Sequence, residues 1–180
     1  MPESITSADL GILAAIPRTQ FLDRIMPVIT VIGDNGIIPI IIALILICIP
    51  KTRKTGIAMG IAFALGGIFG NLLLKNIVAR TRPYDVVDGI KLLVPALSDY
   101  SFPSGHTLSS TIAATILTKT DRRFGYAAIP LAVLIALSRL YLYVHFPSDV
   151  LIAALLGLLI GELTFRYGGG LLDKLPHKIA

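Results

Sequence analysis

The chain has one cysteine, Cys48, in 180 residues. A single thiol rules out an internal disulfide and argues against a cysteine-based metal site. Its neighbours Ile47 and Ile49 predict a small side chain that is buried or faces lipid. Charge is scarce too. Lys, Arg, Asp and Glu make up 15% of the chain while 54% is apolar, too lopsided for an ordinary soluble domain. The net charge of +5 comes without a basic stripe and interleaved aromatics, so it is no sign of a nucleic-acid partner. No carboxylate cluster suits Mg2+. The opening Met1-Pro2-Glu3-Ser4 lacks a basic region followed directly by an apolar core, so no cleavable signal peptide is expected. Low-complexity tracts, linkers and convincing repeats are missing as well. One domain over residues 1–180 is expected.

What is present is apolar sequence in long blocks, the pattern of a polytopic membrane protein. Residues 6–16 predict a short helix capped by Ser7 and ended by Pro17. It is too short to span and should lie in the interface. Residues 20–33 and 37–50 are apolar segments separated by the turn signal Asp34-Asn35-Gly36. Each is short of the ~20 residues a span asks for, so they form either two short spans or one partly interfacial hairpin. After the basic loop Lys51-Thr52-Arg53-Lys54 comes a long helix over 56–81, which should stop before Pro83. Its pairs Gly56/Gly60 and Gly66/Gly70 have the small-xxx-small spacing of close helix packing, within the bundle or against a second copy. Residues 84–102 read as a polar loop with a short helix around 89–97. Helices over 104–119, 124–143 and 149–167 follow. Gly168-Gly169-Gly170 should end the last, before a basic tail with Lys174, His177 and Lys178. The expected fold is an all-α polytopic membrane helix bundle of five to six spans with an N-terminal interfacial helix. Its oligomeric state is open.

Basic loops set the expected orientation. Residues 51–54 and 119–123 should be cytoplasmic, together with Arg166 and Lys174 near the end. An odd number of crossings then places residues 82–103 and 144–148 on the extracytoplasmic side.

Three polar clusters stand out between Lys75 and Asp149. Lys75 and Arg82 lie seven residues apart, about two helical turns, and so share a face. Each alone suits a cation snorkelling to the interface. Arg80 falls off that face and reads as interfacial. In Pro103-Ser104-Gly105-His106, a helix opens with free backbone N–H groups that bind anions, and glycine permits close approach. Ser104 adds a hydroxyl donor, and His106 can give a proton to a leaving oxygen. A capped helix with an incidental histidine is the plain alternative. In the third cluster Ser138-Arg139 ends one helix, and His145 and Asp149 flank Pro147 at the start of the next. An aspartate within reach of a histidine fixes its tautomer and stabilises its cation; a helix cap is the plainer reading. Asn71, one turn before Lys75, faces either the site or a neighbouring helix. Glu162 and Arg166 have the spacing of an interfacial ion pair, and Tyr141 and Tyr143 suit an interfacial belt.

Taken together, Lys-x6-Arg-Pro, Pro-Ser-Gly-His and Ser-Arg-x5-His-x3-Asp, at residues 75–149, resemble the motifs of the type 2 phosphatidic acid phosphatase (PAP2) superfamily in the family's order. The resemblance implies that His145 is a nucleophile forming a phosphohistidine and that Asp149 orients and polarises it. It implies that His106 protonates the leaving group and then activates water. Lys75, Arg82 and Arg139, with Ser104 and the Gly105 N–H, would hold the phosphoryl oxygens. No metal or other cofactor is implied. The bottom-up reading agrees: phosphoryl transfer needs spread negative charge stabilised and a nucleophile placed in line. The expected activity is that of a membrane lipid phosphatase with an extracytoplasmic site, and the expected partners are the bilayer and a lipid phosphate. Undecaprenyl diphosphate is the first substrate; phosphatidylglycerophosphate, phosphatidic acid and lipid A 1-phosphate compete. Vanadate-dependent haloperoxidases share the anion site, but the many spans and short length argue against them. A lipid transporter or a structural membrane protein is the non-enzymatic alternative, although polar residues gathered at one face differ from a transporter's midplane site.

Overall fold

A computed structural model describes residues 3–172, and every regular element among them is helical. The first helix, α1 (Glu3–Ala14), starts earlier than expected. Ser7 lies inside it, its hydroxyl donating to Ser4 O at 2.9 Å. The helix buries Asp9 and Leu13 and packs on the last helix of the chain. Helix α2 (Gln20–Ile32) is capped by Thr19, whose hydroxyl accepts from Leu22 N at 3.2 Å. A 3-10 turn at Asp34–Gly36 leads into α3 (Ile37–Cys48). Neither two spans nor a hairpin results. Gln20–Cys48 is one bent helical stretch of 29 residues, because the turn deflects the chain without reversing it. Thr19 meets Tyr141, Gly33 meets Ile135, and the far end of α3 lies against Gly56. Cys48 is exposed on its surface.

The long helix runs through α4 (Arg53–Gly66), a π-helical segment (Gly67–Leu74) and α5 (Lys75–Val78). It ends three residues before the expected stop. Ala79 turns into the left-handed region at φ 45°, ψ 42°, a costly conformation for a residue with a Cβ. Arg82 is extended, as a residue before proline must be, and Pro83 opens the single turn α6 (Pro83–Val86). No helix forms at 89–97. The bundle closes with α7 (Gly105–Thr120), α8 (Arg122–Tyr141) and α9 (Pro147–Leu172). Helix α9 continues through Gly168-Gly169-Gly170 instead of ending there. The tail residues Lys174, His177 and Lys178 lie outside the described residues.

Four helical stretches among the described residues are long and apolar enough to cross a bilayer: Gln20–Cys48, Arg53–Val86, Arg122–Tyr141 and Pro147–Gly168. The expected five to six spans included α7 and left open whether α2 and α3 cross separately. Helix α7 has only 16 residues, but it is the hub of the fold, packed on α4, α8 and α9. Its Leu108, Ile112, Ala113 and Ile116 form the centre of the core. Because other helices surround it, its sequence can be rich in Ser and Thr. Thr115, Thr118 and Thr120 donate to carbonyls one turn back. Close approach comes from glycines on α9. A Cβ at Gly157 would lie 2.8 Å from the Thr111 Cβ, and one at Gly161 would lie 2.9 Å from the Thr115 Cβ. Of the expected pairs, Gly56, Gly66 and Gly70 also face neighbouring helices inside the bundle, whereas Gly60 has nothing within 4 Å.

The two ends of the bundle differ. At one, Thr120 meets Thr55, and Glu162 pairs with Arg166 at 2.5 Å and Lys119 at 2.9 Å. This end carries the basic loops 51–54 and 119–123. The other end holds α1, residues 79–104 and the turn between α8 and α9. Between them, exposed apolar side chains such as Leu44, Leu72, Val133 and Leu159 point outward.

Candidate active site

All three polar clusters meet at the second end, by a route the helical wheel does not give. The left-handed turn at Ala79 breaks the phase between Lys75 and Arg82, so they do not share a helix face. They converge on Asp99 instead. Lys75 Nζ donates to Asp99 Oδ2, and Arg82 Nη2 donates to Asp99 Oδ1 at 2.5 Å. Arg82 is further locked by the carbonyls of Val144 (2.6 Å), Asp99 (2.9 Å) and Tyr100 (3.2 Å). The third cation, Arg139 in the last turn of α8, donates through Nη1 to Thr30 Oγ1. Its Nε and Nη2 are buried without a partner among the described residues. Buried unsatisfied donors are rare and costly, so this guanidinium is set up for an acceptor.

His145 is 2% exposed. Its Nδ1 lies 2.7 Å from Ser101 O. A carbonyl only accepts, so Nδ1 carries the proton and Nε2 keeps its lone pair. That Nε2 is 3.4 Å from Arg82 Nη1. Burial, opposed by the Asp149 carboxylate and reinforced by the Arg139 and Arg82 cations, pushes His145 down to about 3. The ring is neutral at pH 7 and free to act as a nucleophile.

Asp149 does not hydrogen-bond His145: Oδ2 is 3.8 Å from Nδ1. The i,i+4 spacing suggested a direct bond, but the two residues straddle a helix start, where the side chain of Asp149 turns back to cap the helix. Its Oδ2 accepts from Phe146 N at 3.0 Å and Ser101 Oγ at 2.5 Å, an acidic residue satisfying the N-cap amide. Thus Asp149 holds Ser101, and Ser101 O orients the imidazole.

Arg80 is the main correction. It was expected at the interface, yet it is 7% exposed. Its Nη1 donates to Asp149 Oδ1 at 2.6 Å and Ser148 Oγ at 2.7 Å, and its Nη2 donates to Asp9 Oδ2 at 2.7 Å. The guanidinium stacks 3.7 Å from the Phe146 ring centroid. A charge in the apolar first helix, Asp9, was the available signal that a buried cation needed a partner.

His106, in the first turn of α7, places Nε2 2.7 Å from Asp34 Oδ1 and 3.4 Å from Arg139 Nη1. Asp34 reads as turn residue in sequence and proves to be a histidine partner. Gly105 lines the cavity beside it, and a Cβ there would come within 3.0 Å of Asn71 Oδ1. Asn71 itself lines the cavity from the π-helical segment, the kind of bulge that often marks functional sites. Ser104 differs from expectation. It is fully buried, its Oγ accepts from Thr107 Oγ1 at 3.0 Å, and it caps α7 without lining the cavity. Tyr141 and Tyr143 are no interfacial belt. Their hydroxyls donate to Asp23 Oδ1 (2.6 Å) and Leu13 O (2.9 Å) and tie α2 and α1 to the bundle.

The cavity these residues share has a volume of about 470 Å3. Lys75, Arg82, Arg139, His106 and His145 line one part; Gly33, Gly36, Ile40, Phe63, Gly66 and Ile112 line another. It is cationic where the clusters meet and apolar where it follows α3, α4 and α7. Among the described residues no group of three or more His, Cys, Asp or Glu side chains is placed to hold a metal ion.

Residues 55–171 match the family model of the PAP2 superfamily. Among curated relatives, an undecaprenyl-diphosphatase of Sulfolobus acidocaldarius is 38% identical over 123 residues, 68% of this chain and 59% of that protein. The undecaprenyl-diphosphatase BcrC of Bacillus subtilis is 30% identical over 150 residues, 83% of this chain and 77% of its own. Among solved structures, a transmembrane PAP2-type phosphatidylglycerolphosphate phosphatase from Bacillus subtilis superposes with a TM-score of 0.75 at 29% identity, covering 98% of this chain and 90% of that one.

Proposed function

The chain belongs to the PAP2 superfamily, and from that premise we propose that it is an integral membrane lipid phosphatase working through a phosphohistidine on His145. The observation that carries this is the two-part cavity. Three cations line it beside a neutral histidine, and glycine-flanked apolar walls continue from them. An anionic head with an apolar tail has both of those needs.

The terminal phosphoryl group sits among Lys75, Arg82 and Arg139, with the Gly105 N–H at the start of α7 as a further donor. The unpaired Nε and Nη2 of Arg139 gain acceptors. His145 Nε2 attacks phosphorus, a P–N bond forms, and the bond to the leaving oxygen breaks. His106, whose charged form is favoured by the Asp34 carboxylate beside Nε2 and by the bound phosphate dianion, gives that oxygen its proton. The imidazole gains positive charge, which the Asp149 carboxylate at 3.8 Å stabilises. Water then attacks the phosphohistidine, its proton passes to His106, and orthophosphate leaves with His145 neutral again. The fixed cations supply the charge stabilisation that such a transition state requires.

Undecaprenyl diphosphate is the first candidate substrate, with phosphatidylglycerophosphate next, because relatives and a structural neighbour carry those activities in their names. The basic loops gather at the opposite end of the bundle from the site, which supports an extracytoplasmic site through the positive-inside tendency.

The test is phosphate release in EDTA by purified wild type and His145→Ala on a panel of lipid monophosphates and diphosphates. Wild type should cleave, and the variant should lose several orders of magnitude, as for residues that act as a unit. No release from any lipid, or release that survives the substitution, would sink the reading and favour transport.

A further inference from the structure

The side chain of Asp99 takes no part in the chemistry above, yet it holds both of the cations that come from the Lys75–Arg82 segment. One carboxylate oxygen bonds Lys75 Nζ and the other bonds Arg82 Nη2. It belongs to the irregular segment between α6 and α7, and its side chain is 52% exposed, in contrast to the cations, which are 10% and 2% exposed. Most of the remaining Arg82 donors are committed to backbone carbonyls. Arg139, by contrast, keeps two donors with no partner among the described residues. One part of the phosphate site is therefore occupied by an anion the chain supplies.

We propose that Asp99 is an internal competitor for the phosphate site, which a substrate must displace from Lys75 and Arg82, and that it thereby sets which headgroups are admitted. The inference rests on the phosphatase reading of the site. A tethered group competes at an effective concentration in the millimolar range. A terminal phosphate carries nearly two negative charges at neutral pH, more than the single charge of a carboxylate, and can take over both cations. A phosphodiester headgroup carries one charge and gains little by the exchange. Phospholipids with phosphodiester headgroups surround any site at a membrane surface, and three unguarded cations would bind them. Asp99 discriminates by repulsion and occupancy rather than by added contacts to the substrate. Burial raises the Asp99 pKa, but the bonds to Lys75 and Arg82 outweigh it and hold the carboxyl at about 2, so the competitor stays charged.

The experiment compares wild type with Asp99→Asn and Asp99→Ser; Asp99→Glu retains the charge. Orthovanadate binding, read by calorimetry, needs no turnover. Both neutral variants should bind it about three- to tenfold more tightly, the range of a half-exposed charged hydrogen bond. Phosphate release from the preferred lipid should show a lower KM in those variants. Micellar phosphatidylglycerol should inhibit them at concentrations that leave wild type and Asp99→Glu unaffected. Weaker vanadate binding or a raised KM in the neutral variants would overturn the proposal and make Asp99 a positioning residue for the two cations. If vanadate binds more tightly to the neutral variants but no protein of the set releases phosphate from any lipid, the competitor stands and the phosphatase reading fails. If wild type turns over and vanadate affinity is unchanged in the variants, the reverse holds.

Discussion

Both ends of the bundle carry clustered charge, and they handle it in opposite ways. At the basic end, Glu162, Lys119 and Arg166 form a network on the surface, with the Arg166 side chain 64% exposed and Lys119 44% exposed. At the site end, Arg80, Arg82 and Arg139 are each 7% exposed or less, and His145 and Asp149 are 2% and 0%. Desolvated charges are stable only with close partners; Arg80 and Arg82 each have several, whereas Arg139 keeps Nε and Nη2 unpaired among the described residues. Solvated charges at the other end are free to rearrange, and their pairing contributes little. The same residue types thus line a buried cavity at one end and form a solvated network at the other. Burial and partners separate the two; composition does not.

Removing one partner at each end sharpens the contrast. The larger effect is expected for Arg80→Met. It strands the carboxylates of Asp9 and Asp149 inside the bundle, and breaking a buried pair in this way costs about 3–5 kcal/mol. The thermal midpoint in detergent should fall accordingly, and phosphate release should fall with it because Asp149 holds Ser101 and Ser101 O orients His145. Arg80→Lys keeps the charge and should recover part of the stability. A midpoint for Arg80→Met equal to wild type would remove the claim that this network holds the site. The smaller effect is expected at the opposite end. Glu162→Gln breaks the contacts to Lys119 and Arg166 at the surface and should leave both midpoint and activity within error. A large loss there would erase the distinction between the two ends.

Much of the site was legible because polar residues in an apolar chain have few reasons to be there. Lys75, Arg82, Gly105, His106, Arg139, His145 and Asp149 all arrive at one end of the bundle, as their motifs suggested. What could not be read is what depends on a local break in regular geometry. Helical phase carried as far as Val78 fails at Ala79, so Arg80 was assigned outward when it points in. The i,i+4 spacing of His145 and Asp149 implied a bond that the helix start redirects to Ser101. Asp34 and Asp99 sit in a turn and a loop, where carboxylates are ordinary, and their partners come from distant segments. Ser104 was read as a phosphate donor when its hydroxyl caps α7. For the fold, a turn signal at Asp34-Asn35-Gly36 suggested reversal, yet packing of α2 on α8 and of α3 on α4 keeps the chain running one way. The glycines on α9, Gly157 and Gly161, set how closely α7 packs.

Isotopically labelled lipid phosphate mixed with excess enzyme and quenched in base within one turnover should leave the label on the protein. The adduct should be stable to base and labile to acid, and peptide mapping should place it on Nε2 of His145, the nitrogen left free by the Ser101 contact. No trapped label under turnover conditions, or a label on His106, would contradict the assignment.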